Sequence, residues 1–158
     1  MLLCAAAVAL LGVAVGRAET IRLKLEGVKC DQCADVINEA IGKVPTAKVK
    51  TTATKAVPAA VVDVDLKKSD IGAIGKAVAE AETPHKEVEA PAAFLILKAP
   101  GLTATNAKTL DKALKGVKGV NGVLSEADVK GKEVRIKLSE SGDAKIADIQ
   151  KALAAYLK

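Results

Sequence analysis

Thr20-Ile21-Arg22-Leu23-Lys24-Leu25-Glu26-Gly27-Val28-Lys29-Cys30-Asp31-Gln32-Cys33-Ala34-Asp35-Val36-Ile37 is the stretch from which the fold can be read. Ile21, Leu23 and Leu25 alternate with Arg22, Lys24 and Glu26, the period of a strand with one buried face. From Cys33 onward the apolar residues Val36, Ile37, Ala40, Ile41 and Val44 keep helical spacing, and Pro45 ends the run. Between strand and helix lies Gly27 to Cys33, with two residues separating the cysteines. A helix start offers unpaired N–H groups and a partial positive charge, which favour thiolate over thiol. Two thiolates so placed can converge on one soft cation or join as a disulfide.

The chain has 158 residues, half of them apolar, enough for one medium core or two small ones. Phe94 and Tyr156 are its only aromatics, so Ala, Val, Leu and Ile must fill thin layers rather than wall a wide enzyme pocket. The net charge is +5, from lysines interleaved with Asp and Glu. Basic and aromatic residues do not interleave, which argues against a nucleic-acid partner.

Residues 1–18 read as an export signal. An apolar run over residues 2–15 is followed by Gly16-Arg17-Ala18, with small residues at the −3 and −1 positions of a cleavage site. No Lys or Arg precedes the run, and it is short for a membrane span. The expectation is an exported protein, periplasmic or extracellular, or a membrane-anchored one if the leader is kept. Cys4 would leave with the leader. The compartment would permit disulfides.

After the first strand and helix, residues 47–54 read as a polar strand near a sheet edge, and Val62, Val64 and Leu66 as a third strand. Ser69 or Asp70 would cap a helix carrying Ile71, Ile74, Val78 and Ala81. Thr83-Pro84 breaks it, and residues 85–89 offer a short fourth strand. The order βαββαβ is a two-layer α+β arrangement. It then repeats: a strand over residues 93–98, a helix through Ala107, Leu110, Leu114 and Val117, strands over 123–130 and 134–138, and a last helix capped by Ser141 or Asp143 with Ile146, Ile149, Leu153 and Tyr156. Gly27 and Gly101 stand 74 residues apart. The chain is therefore read as a tandem duplication, with a first unit over 19–90 and a second over 91–158. The second carries Thr103-Ala104-Thr105-Asn106-Ala107 where the first has its thiols and lacks a final strand. Its expected use is packing or docking, with the sheet edge left by the missing strand open to a partner.

Gly27 to Cys33, set between strand and helix at the start of a βαββαβ unit, resembles the loop of heavy-metal-associated domains. These include small copper chaperones, periplasmic mercury-binding proteins and the N-terminal modules of metal-exporting P-type ATPases, with the motif Gly-Met-x-Cys-x-x-Cys. The resemblance covers residues 20–89 and extends to 93–158 only as fold. It implies two ferredoxin-like βαββαβ sandwiches in tandem, the second degenerate and lacking the last strand. It also implies Cys30 and Cys33 as ligands of Cu(I) first, with Hg(II), Zn or Cd as further candidates. A metal-transporting ATPase or another metal-binding protein would be the partner. Val28 stands where the family has its Met, a residue that packs beneath the loop and does not ligate.

Other readings stand beside this one. Cys-x-x-Cys also serves redox chemistry, so a disulfide-bearing or redox interaction domain without a native metal is the alternative. A third reading keeps the fold as an assembly module with inherited cysteines. A closed four-ligand zinc site needs two donors beyond the thiols, and outside the leader the chain offers only His85 besides carboxylates. His85 could reach the loop as an auxiliary ligand or stay a solvated strand residue. Lys29 and Asp31 could tune the thiolates or simply be solvated, and Thr103 and Asn106 read as cap and turn residues. No nucleophile–His–Asp arrangement and no phosphate-binding glycine loop appears, so binding rather than turnover is expected.

Overall fold

The structure, a computed structural model, describes residues 18–65 and 71–158, apart from the side chains of Ala18 and Val123. The first half holds β1 (Ala18–Glu26), α1 (Asp31–Gly42), β2 (Ala47–Thr51), β3 (Ala59–Asp65) and α2 (Ile71–Ala79). The second holds β4 (Ala92–Lys98), α3 (Ala104–Ala107), α4 (Leu110–Leu114), β5 (Val120–Asp128), β6 (Glu133–Leu138) and α5 (Ile146–Ala152). The expected leader, except Ala18, and the caps Ser69 and Asp70 lie outside the described residues, as does Leu66.

The α+β antiparallel architecture stands. All six strands join in one sheet, ordered β2-β3-β1-β4-β6-β5. In a βαββαβ unit the fourth strand lies beside the first. Here residues 85–89 form turns instead, and the place beside β1 is taken by β4, the first strand of the second repeat. Reciprocally, β1 fills the place beside β4 that the second repeat's missing strand leaves. The edge expected to be open is thus closed within the chain. The remaining edges are β2, as its polarity foretold, and β5.

The pairing registers recur at a fixed offset along the chain. Arg22 faces Val61 across β1 and β3, and 74 residues on Ile96 faces Arg135 across β4 and β6. At the junction Arg22 faces Ile96, its own repeat equivalent. A local two-fold axis therefore passes between β1 and β4, normal to the sheet, and sets the helices of both repeats on the same side.

That side is the core. Alternation places Ile21, Leu23 and Leu25 of β1, Val62 and Val64 of β3, Leu95 of β4, and Val134 and Ile136 of β6 on one buried face. Ile37, Ile41, Ile74, Val78, Leu110, Leu114 and Ile149 cover it from the helices, each such side chain contributing about 1.5–3 kcal/mol on burial. α2 lies across the junction. A Cβ on Gly72 would stand 2.3 Å from Gly142 C, and one on Gly75 2.6 Å from Leu138 Cβ, so only glycine permits this approach. Phe94, on the opposite side of the sheet, is nevertheless buried. Lys24 and Lys137 on the flanking strands extend over it, their ammonium groups 5.4 and 5.8 Å from the ring centroid.

Two local expectations change. The helix foreseen through residues 107–117 divides into α3 and α4, because the Thr109 hydroxyl donates to Asn106 O at 2.8 Å and competes with helix continuation. α5 starts after Lys145 with no side-chain cap. Ser141 instead meets Ser139, hydroxyl to hydroxyl, at 2.7 Å, and Asp143 pairs with Lys118 at 3.1 Å.

Candidate metal centre

β1 delivers the loop and α1 receives it. Gly27 turns the chain with φ +79°, and a Cβ there would stand 2.8 Å from Pro91 Cα. Both the left-handed conformation and the contact require glycine. Gly27→Ala is expected to destabilise the chain by about 1–3 kcal/mol, to be measured by thermal denaturation. Val28 is half-buried and packs against the core.

Cys30 is the N-cap of α1. Its backbone is extended (φ −148°, ψ 168°), and its Sγ accepts the Cys33 N–H at 3.1 Å. Cys33, three residues on, is fully buried, whereas Cys30 is half-buried. Both are free thiols with Sγ atoms 2.6 Å apart. Burial pushes the Cys33 thiol up, but hydrogen bonds from the Cys30 thiol and from backbone groups of Lys29, Cys30 and His85 outweigh it. The net direction for Cys33 is down, towards thiolate, while Cys30, which supplies the thiol hydrogen bond, is raised.

The third member arrives from residues 81–91. His85, exposed, lies with Cys30 and Cys33 so that one ligand atom of each falls within 4.8 Å of the others. The structure therefore brings together the two expected thiols and the histidine weighed as an auxiliary donor, although His85 sits in a turn and not on a strand. The turn is held by Lys86 N–H to Thr83 O at 3.1 Å and by Val88 and Glu89 N–H to His85 O, both at 3.0 Å.

Glu89 fastens this strap to the loop, and sequence reading missed it. Its carboxylate accepts the Gly27 N–H at 3.1 Å and pairs with the Lys29 ammonium, which is therefore engaged rather than merely solvated. The Lys29 bond, then the Gly27 N–H, lower the Glu89 carboxyl below its ordinary value. A depressed carboxyl contributes its stability at pH above the unfolded value and loses it as pH falls through the native one. Glu89→Gln is expected to loosen the strap at neutral pH and to remove that acid-side dependence. Amide hydrogen exchange over residues 84–91 would read both effects.

The equivalent loop of the second repeat is closed by its own side chains. Thr103 and Asn106 form a reciprocal capping box, Asn106 Nδ2 donates to Gly101 O at 2.8 Å, and Tyr156 OH lies 3.0 Å from Thr109 Oγ1. Cap and turn roles for Thr103 and Asn106 hold, and the loop offers no thiol.

Repeated βαββα units with a Cys-x-x-Cys pair at the start of the first helix have the layout of heavy-metal-associated domains, and the chain is structurally similar to such domains. Oxidized MerP from Ralstonia metallidurans CH34 is 32% identical, over 43% of this chain and 93% of that one, with a TM-score of 0.38. The N-terminal soluble domains of Bacillus subtilis CopA are 17% identical, over 89% of this chain and 90% of that one, with a TM-score of 0.38. The water-soluble region of the P-type ATPase CopA from Bacillus subtilis is 17% identical, over 89% and 87%, with a TM-score of 0.40. No protein-family model and no curated protein matches the chain. Among the described residues no helix is long and apolar enough to cross a membrane.

Proposed function

We propose that the chain binds one soft metal ion through Cys30 and Cys33, with His85 as third donor, and carries or sequesters it. The observation that supports this best is the convergence of three donors from two separate segments within 4.8 Å. Thiolate sulfur selects Cu(I) first, with Hg(II), Zn and Cd as further cargoes. Two sulfurs on one ion with bonds of about 2.3 Å stand nearly 4 Å apart in tetrahedral geometry and further apart in linear geometry. Cys30, the more exposed of the two, is the freer to adjust to that spacing. The ion would lie at the surface end of α1, where an incoming thiolate can replace one ligand at a time. That suits hand-over to a metal-transporting ATPase or another metal-binding protein in an exported setting, and it calls for no turnover.

The closeness of the two thiols also favours a second reading, a redox pair that works as dithiol and disulfide. Titrating reduced residues 19–158 with Cu(I) against a colorimetric chelator separates the two. One ion per chain, held against the chelator and weakened in His85→Ala, is the expected result. Failure to compete would leave the redox reading.

A further inference from the structure

The two repeats present the same surface with opposite charge. Residues 19–90 hold 11 Lys and Arg against 12 Asp and Glu, whereas residues 91–158 hold 12 against 7. The net charge is thus −1 on the first repeat and +5 on the second. The difference is concentrated on the outer helices. Aligning the caps Cys30 and Thr103 superposes buried Ile37 and Ile41 on buried Leu110 and Leu114. The same alignment sets exposed Asp35 on exposed Lys108, and exposed Glu39 on exposed Lys112.

Ion pairing differs in the same sense. Most lysines around the first repeat's helices are matched locally: Lys43 by Glu39, Lys76 by Glu80, Lys86 by Glu82. Among the described residues, Lys108, Lys112, Lys115 and Lys151 have no carboxylate within ion-pair distance, and neither Asp31 nor Asp35 has a cation. Lys115, Lys118 and Lys151, with Asp148 as the one acid, line a groove between α4 and α5.

Because the two-fold axis between β1 and β4 is normal to the sheet, both helix sets share one side. That side is acidic at the α1 end and basic at the α4–α5 end. A second copy, turned by 180° about an axis parallel to the strands and stacked helix layer to helix layer, would set its basic end on this acidic end and its acidic end on this basic one. Both contacts form at once and the assembly closes. We propose that the helix layer is a self-complementary docking face and that its partner is a second copy of this chain. A uniformly anionic partner, such as a lipid surface or a nucleic acid, complements only the α4–α5 end and is repelled at Asp31 and Asp35. Exposed ion pairs are individually weak and screened by salt, so the dimer is a low-affinity, salt-sensitive one.

Sedimentation equilibrium of residues 19–158, reduced and with chelator to exclude disulfide and metal bridging, tests this. At low ionic strength the weight-average mass is expected to rise with concentration towards about twice the monomer. At about 0.5 M salt, where screening acts within about 4 Å, it should return to the monomer. Asp35→Lys/Glu39→Lys gives a layer basic at both ends, and Lys108→Glu/Lys112→Glu/Lys115→Glu one acidic at both ends. Each variant alone should stay monomeric, and their equimolar mixture should regain the doubled mass. A wild-type chain monomeric at low salt, a variant that still self-associates, or a mixture of folded variants that stays monomeric would each overturn the proposal. Binding of the wild type to anionic vesicles without self-association would do so as well.

Discussion

Serine at both Cys30 and Cys33 is expected to abolish competition for Cu(I), lowering affinity by several orders of magnitude while the fold persists. A hydroxyl is a hard, weakly acidic donor, and a soft d10 ion gains little from it compared with a thiolate. The two single replacements should part company in stability. Serine at position 30 can still accept the Cys33 N–H and is a better N-cap than cysteine, so Cys30→Ser should cost the fold little. Cys33 is fully enclosed beside Ile37 and the core, and a hydroxyl there must find a partner or lose about 1–3 kcal/mol. Isothermal titration and thermal denaturation of the same three variants would separate ligand loss from fold loss. Full-strength binding by the double variant would place the metal elsewhere.

The second large effect concerns the shared sheet. Leu23 is fully buried and stands between Ala60 of β3 and Leu95 of β4, at the seam where the repeats meet. Leu23→Ala removes one methine and two methyl carbons from a place that flanking strands cannot collapse into, a cost of about 2–5 kcal/mol. The melting temperature should fall by on the order of 10 °C. Since one sheet and one helix layer serve both repeats, unfolding should remain a single transition, reported alike by Tyr156 in the second repeat and by far-ultraviolet circular dichroism. Two transitions, only one of them shifted, would mean that the repeats are energetically separate despite the β1–β4 pairing.

Much of this fold could be read from periodicity. Alternation at Ile21, Leu23 and Leu25 gave β1, helical spacing from Cys33 gave α1, and the alternation of Val134, Ile136 and Leu138 and the spacing of Ile146, Ile149 and Leu153 gave β6 and α5. Strand partners were not legible, because period two fixes which face a residue takes and says nothing about which strand lies alongside. One signal did point that way: residues 92–97 are apolar without alternation, the pattern of a strand covered on both faces in the middle of a sheet. β4 is such a strand, with Leu95 under the helices and Phe94 under Lys24 and Lys137. At the site, the thiols were legible from their spacing. The strap was not, since the bonds of Glu89 to Gly27 and Lys29 span about sixty residues of sequence and leave no local pattern. His85 was identified as the one remaining strong donor, near the end of a helix that the expected fold brings close to the loop, and its turn follows from backbone bonds that composition does not encode.

The most direct test of the centre is X-ray absorption at the metal edge of the Cu(I)-loaded, reduced chain. The account predicts two sulfur scatterers and one nitrogen scatterer on the ion, with the nitrogen lost in His85→Ala and both sulfurs lost in the double serine variant. An ion bound without sulfur, or one whose sulfur shell survives replacement of Cys30 and Cys33, would contradict it.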